Sequence, residues 1–178
     1  MTQEEIQELE KKAKQGDAVA QFNFGLLLVV NNYYEDGRDF IAKAAEQEDA
    51  NAKGWIEAHN KLTTALETVD TSESMQGKKI HLWNVKKGEQ SDEFSFSNLN
   101  EGSVIVFVDK SEDKNSTFKH FHTEIISENY FHILFDLWKV YSSGELPASA
   151  IKPTKNAKYL ISILHYLIEN SPDLQVYV

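Results

Sequence analysis

The stretch Ala13-Lys14-Gln15-Gly16-Asp17-Ala18-Val19-Ala20 returns 32 residues later as Ala45-Glu46-Gln47-Glu48-Asp49-Ala50-Asn51-Ala52, with five of the eight positions identical. Internal similarity at this period is the mark of stacked helical hairpins. The local chemistry agrees. Asp17 and Asp49 are N-cap residues, whose carboxylates accept from the free amides of a first helical turn. Gly16 can take the left-handed conformation that closes the preceding helix. Working outward, Ile6, Leu9 and Ala13, then Ala20, Phe24 and Leu27 or Leu28, fall at helical spacing, as do Phe40 with Ala44, and Ala52 with Ile56 and Leu62.

These words resemble the SEL-one-like repeat, a relative of the tetratricopeptide repeat. The resemblance rests on Lys14 to Gly25 (KQGDAVAQFNFG) and Ala42 to Ala52 (AKAAEQEDANA) and covers about residues 9–60. It implies that Ala18, Ala20 and Gly25 are helix-packing positions, that Phe40 plugs a hairpin, and that the surface binds protein rather than catalysing a reaction. The second copy departs from the pattern, with Glu48, Lys53 and Glu57 where the first has Gly16, Gln21 and Gly25. Two units are fewer than a solenoid normally needs to stand alone. The rest of the chain is therefore expected to cap the stack, giving one integrated molecule.

The hydrophobic period changes near residue 70. Residues 1–68 read as the helical repeat region, 69–78 as a linker or loop rich in Thr, Ser and Gln, and 79–178 as an α+β region. Candidate strands are Lys79–Val85, Glu93–Ser97, Ser103–Asp109 and Thr117–Ile126, with turn residues between them. Val104 to Val108 is apolar without alternation, which predicts a central strand covered on both faces. Two helices follow. Tyr130–Tyr141 places Ile133 or Leu134, Leu137, Val140 and Tyr141 on one side, and Asn156–Ile168 places Tyr159, Leu160, Ile163, Leu164 and Leu167 on one side. Pro147 and Pro153 punctuate the loop between them. Asp173–Val178 is expected to return as an edge strand. The predicted fold class is thus α+β: antiparallel helical hairpins packed on a mostly antiparallel sheet covered by two C-terminal helices. Leu28, Phe40, Val106, Leu137 and Leu164 are the expected core.

Composition narrows the function classes. A chain of 178 residues with 41% hydrophobic content can bury about 70% of its unfolded surface. No apolar run approaches the roughly 20 residues of a membrane span, the first ten residues have no apolar leader segment, and there is no cysteine for a disulfide, a thiolate metal site or a thiol nucleophile. A cytoplasmic location is expected. Net charge is −10, and Arg38 is the single arginine among 18 basic residues. Nucleic-acid readers favour a basic field and arginine forks, so direct nucleic-acid binding is not expected. An acidic field instead speeds encounter with basic proteins.

Motifs for chemistry are sparse. There is no Gly-x-Ser-x-Gly nucleophile turn, phosphate loop or dinucleotide fingerprint, and no cofactor is implied. His120 and His122 on a strand would share a face and could hold a divalent ion with His81, Glu124 or Asp109 as third ligand, although two solvent-facing histidines explain the spacing equally well. Three acidic clusters stand out: Glu35-Asp36-Gly37-Arg38-Asp39 after Tyr33 and Tyr34, Glu89 to Glu93, and Glu112-Asp113. Tyrosine beside carboxylates suits a surface that meets a basic partner. The expected contact pool is Tyr34, Glu35, Asp36, Asp39, Asp92, Glu93, Glu112 and Asp113.

Size, acidity and missing catalytic motifs together predict a non-enzymatic inhibitor. The reading is a bacterial immunity protein that neutralises one cognate toxin domain, a basic nuclease, by filling its active cleft in a one-to-one complex. The alternatives are a general adaptor reading a peptide through a repeat groove lined by Gln21, Asn23, Lys53 and Glu57, and a metal-dependent enzyme at His120 and His122.

Overall fold

A computed structural model describes residues 1–69, 77–99, 102–109, 121–146 and 156–178. The chain is α+β. Helices α1 (Gln3–Lys14), α2 (Ala18–Val30), α3 (Tyr34–Glu46) and α4 (Ala50–Glu67) precede strands β1 (Lys78–Asn84), β2 (Gly88–Leu99), β3 (Ser103–Asp109) and β4 (Phe121–Ser127), followed by α5 (Glu128–Ser142), α6 (Ala157–Asn170) and the short α7 (Pro172–Gln175). Two compact units divide between Lys61 and Leu62, inside α4 and upstream of the composition change at residue 69.

In the first unit, one turn design recurs every 16 residues. Gly16, Asn32 and Glu48 all take positive φ, at 95°, 74° and 67°. At each, two amides reach back to carbonyls of the finished helix: Gly16 to Ala13 and Asp17 to Lys12, Asn32 to Val29 and Tyr33 to Leu28, Glu48 to Ala45 and Asp49 to Ala44. This pair of hydrogen bonds satisfies carbonyls a helix end would leave open. Asp17 then accepts from the Ala20 amide at 2.8 Å and Asp49 from the Ala52 amide at 2.9 Å. The repeat legible in the sequence is thus a stop-and-restart signal, and Glu48 keeps the backbone shape of Gly16 without its freedom.

A side chain in the left-handed region costs roughly 1–2 kcal/mol, partly offset by the unfolded-state entropy that glycine adds. Glu48→Gly is therefore expected to raise stability by about 0.5–1 kcal/mol, and Gly16→Ala to lower it by a similar amount, read as opposite shifts of the urea midpoint. The exposed Glu48–Lys53 ion pair is too solvated to reverse the sign.

The first unit packs through small residues. Ala13, Ala20 and Phe24 form a core cluster between α1 and α2, with Leu9, Leu27, Leu28 and Phe40 against it, and the Phe24 and Phe40 rings meet edge to face at 5.1 Å. Helices α2 and α3 approach until Gly25 faces Gly37. A β-carbon on Gly25 would lie 2.7 Å from the Gly37 carbonyl oxygen, and one on Gly37 would lie 2.6 Å from that of Gly25. Tyr34 is buried against Trp55, with ring centroids 6.3 Å apart.

In the second unit, the described strands form one antiparallel sheet in the order β1-β2-β3-β4. Register Phe96↔Val106 and Val106↔Glu124 aligns a buried face that includes Ile80, Leu82, Phe94, Phe96, Val104, Val106 and Ile126. Helix α6 meets it through Tyr159 on Phe94 and Tyr166 on Phe96. Ser162, buried on α6, accepts from the Trp83 amide at 2.8 Å, where the β1–β2 register shifts between His81 and Trp83. That contact covers a backbone donor of strand β1, the kind of group a sheet edge otherwise leaves open.

Several expectations are corrected. β3 is an inner strand as expected, but its faces differ: Val104 and Val106 are buried while Ile105 and Phe107 are half-buried, and Ile125, opposite Ile105, is 63% exposed. Apolar composition on both faces did not require equal cover. Residues 173–178 form no strand: Pro172, with its fixed φ, starts the single turn of α7 instead. Leu28, Phe40 and Leu137 are half-buried, whereas Val29, Ile41, Leu134 and Trp138 are buried. The helical period was right and its phase one residue off, because which neighbour faces inward depends on the packing partner. Val106 and Leu164 are fully buried as expected. The expected strand Glu93–Ser97 is longer, Gly88–Leu99, and takes in the whole Glu89–Glu93 segment. Residues 70–76 of the expected linker lie outside the described residues.

Candidate partner-binding surface

The contact pool separates by place. On α3, Glu35, Asp36 and Asp39 are exposed. Glu35 and Asp36 sit in the first turn of the helix, where negative charge is favoured by the exposed amides. The helix is held on its other side by Gly37 and Ile41, so these carboxylates stand on a fixed platform. Tyr34 leaves the pool: at 6% exposure it is a core residue. The exposed tyrosine is Tyr33, at 60%. Of two adjacent aromatic residues at a helix start only one points inward, and the sequence does not say which.

On β2, Asp92 and Glu93 are exposed, but Glu93 is engaged across the strand pair. It forms an ion pair with Lys79, and its Oε1 lies 3.4 Å from His81 Nε2. Glu112 and Asp113 lie outside the described residues. So does His120. The backbone of His122 is placed opposite Val108 on β3. His81 cannot be its third ligand, because β1 and β4 are separated by β2 and β3, three steps of about 4.8 Å. Among the described residues no group of three or more His, Asp or Glu side chains could hold a metal ion.

The expected peptide groove is not lined as predicted. Gln21 is buried, donating to the Ala13 carbonyl at 3.2 Å and accepting from Gln47 at 2.7 Å. Lys53 pairs with Glu48, and Glu57 with Lys61 at 3.1 Å. Asn23 remains exposed.

Two polar constellations in the second unit are built on His132 and His165, which their amphipathic helices mark as packing histidines but whose partners the sequence does not name. Thr63 Oγ1 donates to Glu128 Oε1 at 2.6 Å, and His132 Nε2 lies 3.3 Å from the same oxygen and 3.4 Å from Thr63. His132 is buried, and the trio ties the end of α4 to the start of α5 while satisfying a buried imidazole. The i,i+4 spacing of Glu128 and His132 was the available signal. His165 stacks on Trp83 at 3.8 Å, with Trp138 beyond. Burial against these rings pulls its pKa below the usual histidine value, opposed by the nearby charges of Glu169 and Glu89. Tyr141, also in this aromatic group, has its hydroxyl pKa raised by burial. Of the described pool, Glu35, Asp36 and Asp39 are exposed on α3 and Asp92 on β2. No family model, curated protein or solved structure matches this chain.

Proposed function

We propose that this chain is a protein-binding inhibitor: an immunity protein that holds one basic partner, a nuclease-type toxin domain, and blocks its active cleft without catalysing a reaction. The observation that carries the reading is the α3 face, where exposed Tyr33 stands beside exposed Glu35, Asp36 and Asp39 on a helix locked from behind. An exposed tyrosine among carboxylates suits a cationic cleft, because its ring offers a large contact area with only two side-chain torsions to order. The chain's net charge of −10 would steer the encounter from a distance.

The test is co-expression with the product of the adjacent upstream gene, followed by binding kinetics. The partner should be lethal alone and harmless beside this chain. Asp36→Lys with Asp39→Lys should slow association about tenfold while the fold persists, and added salt should slow association more than it speeds dissociation. A harmless neighbour, or one that stays lethal in the presence of this chain, overturns the reading and leaves the general adaptor in its place.

A further inference from the structure

Among the described helices the most apolar is α2, Ala18–Val30, and the first unit uses two of its sides. Ala20 and Phe24 face α1, while Gly25 and Val29 face α3. The remaining side borders an open groove of about 770 Å³ along the α1–α2 hairpin. Leu9, Leu26, Leu27 and Val30 form its floor, and Glu4, Glu5, Glu8 and Lys12 of α1 its lip. Val30 is 43% exposed.

The internal repeat shows what such a face takes. Adding 32 carries Glu5 to Gly37, Leu9 to Ile41, Lys12 to Ala44, Leu26 to Ala58, Leu27 to His59 and Val30 to Leu62, all six buried, while Met1, Glu4, Glu8 and Asn23 go to Tyr33, Asp36, Phe40 and Trp55, which are exposed or half-buried. At Gly37 and Ile41 the cover is helix α2 itself. The same positions one repeat earlier form the groove. From this equivalence we infer that the α1–α2 groove is the seat of an amphipathic helix supplied by a basic partner. Its apolar stripe would rest on Leu26, Leu27 and Val30, and its lysines or arginines would face the glutamates of α1.

Charge selects this occupant. The lip carries three glutamates against one lysine; Glu5 Oε2 accepts from the Thr2 amide at 2.7 Å, Glu8 and Lys12 lie 3.8 Å apart in solvent, and the net charge of the lip is negative. A second copy of this acidic chain would bring like charges together, which disfavours association. The open shape suits a helix better than a small molecule, whose sites usually bury most of the ligand. Glu5 and Lys12 stand where the second hairpin has glycine and alanine, so the guest must sit farther out than α2 does on α3. It therefore reads side chains rather than backbone. The twelve residues of α1 span about 18 Å, room for about three turns of guest helix with anchors at i, i+4 and i+7. The guest's charge rests on the basic-partner reading; the groove does not.

The test uses the full chain, isotopically labelled, and two synthetic helical peptides of about four turns. Both carry leucine at i, i+3, i+4 and i+7; one has lysine and the other glutamate at the remaining positions. Amide shift changes with the lysine peptide should map to α1 and the outer side of α2. Val30→Glu should weaken that binding about tenfold and Glu8→Lys several-fold, with the rest of the amide spectrum unchanged. Shifts confined to Tyr33, Asp36 and Asp39 would overturn the groove while leaving the basic-partner reading intact. Equal binding of the glutamate peptide would overturn the charge assignment of the guest. Self-association abolished by Val30→Glu would make the occupant a second copy. Absence of binding at millimolar peptide would overturn the inference outright.

Discussion

Replacing Gly25 or Gly37 by alanine is expected to destabilise the helical unit by about 3 kcal/mol, at the upper end of the usual cost of overpacking. The added methyl group of Gly25→Ala would stand 2.7 Å from the Gly37 carbonyl oxygen and 3.2 Å from the Ile41 amide nitrogen, and that of Gly37→Ala 2.6 Å from the Gly25 carbonyl oxygen. These obstacles are backbone, so rotating a side chain does not relieve them and α2 and α3 must separate. Alanine's better helix propensity returns only about 1 kcal/mol. Gly54 supplies the control. It also lies within a helix, but nothing stands within 4 Å of an added β-carbon, so Gly54→Ala should stabilise by up to about 1 kcal/mol. Urea unfolding followed by far-ultraviolet circular dichroism reads both signs. If Gly25→Ala and Gly54→Ala shift the midpoint in the same direction, the close approach of α2 and α3 is wrong.

Phe96→Ala is expected to cost about 3–5 kcal/mol and to lower the unfolding temperature of the second unit by more than about 10 °C. Phe96 is fully buried, pairs in register with Lys78 of β1 and Val106 of β3, and meets the Tyr166 ring of α6 at 6.0 Å. Truncation opens a cavity between sheet and helix whose walls are held by the strand ladder and cannot collapse far. Phe107 has the same chemistry on the next strand but lies half-buried on the other face, and Phe107→Ala should cost less than half as much. Equal losses at the two positions would mean that both faces of the sheet are covered alike, as the apolar run Val104 to Val108 had suggested.

The candidate surface was legible only in part. Glu35, Asp36, Asp39 and Asp92 are exposed as expected, because taking a carboxylate charge out of water is costly. Tyr34 was misplaced because a tyrosine has both an apolar ring and a polar tip, and either can decide its position. Glu93 was read as free surface, yet the strand pairing puts Lys79 and His81 within its reach. His81 and Glu124 looked available to one metal site until strand order set them at opposite sides of the described sheet.

The sequence by itself determined what depends on near neighbours in the chain. The Asp17 and Asp49 caps, the stop at Gly16 echoed at Glu48, the alternation of Phe94-Ser95-Phe96 and the buried stripe of α6 are each set within a few residues, by backbone stereochemistry and by the period of one element. Tertiary structure decided what depends on residues distant in sequence. Which of Leu28 and Val29, or Phe40 and Ile41, faces inward is settled by where α2 and α3 touch, and that contact is set by two glycines 12 positions apart. Which face of β3 is dry is settled by the side on which α6 lies. The open groove beside α2 follows for the same reason: a helix apolar on every side does not announce which side its own fold will leave uncovered.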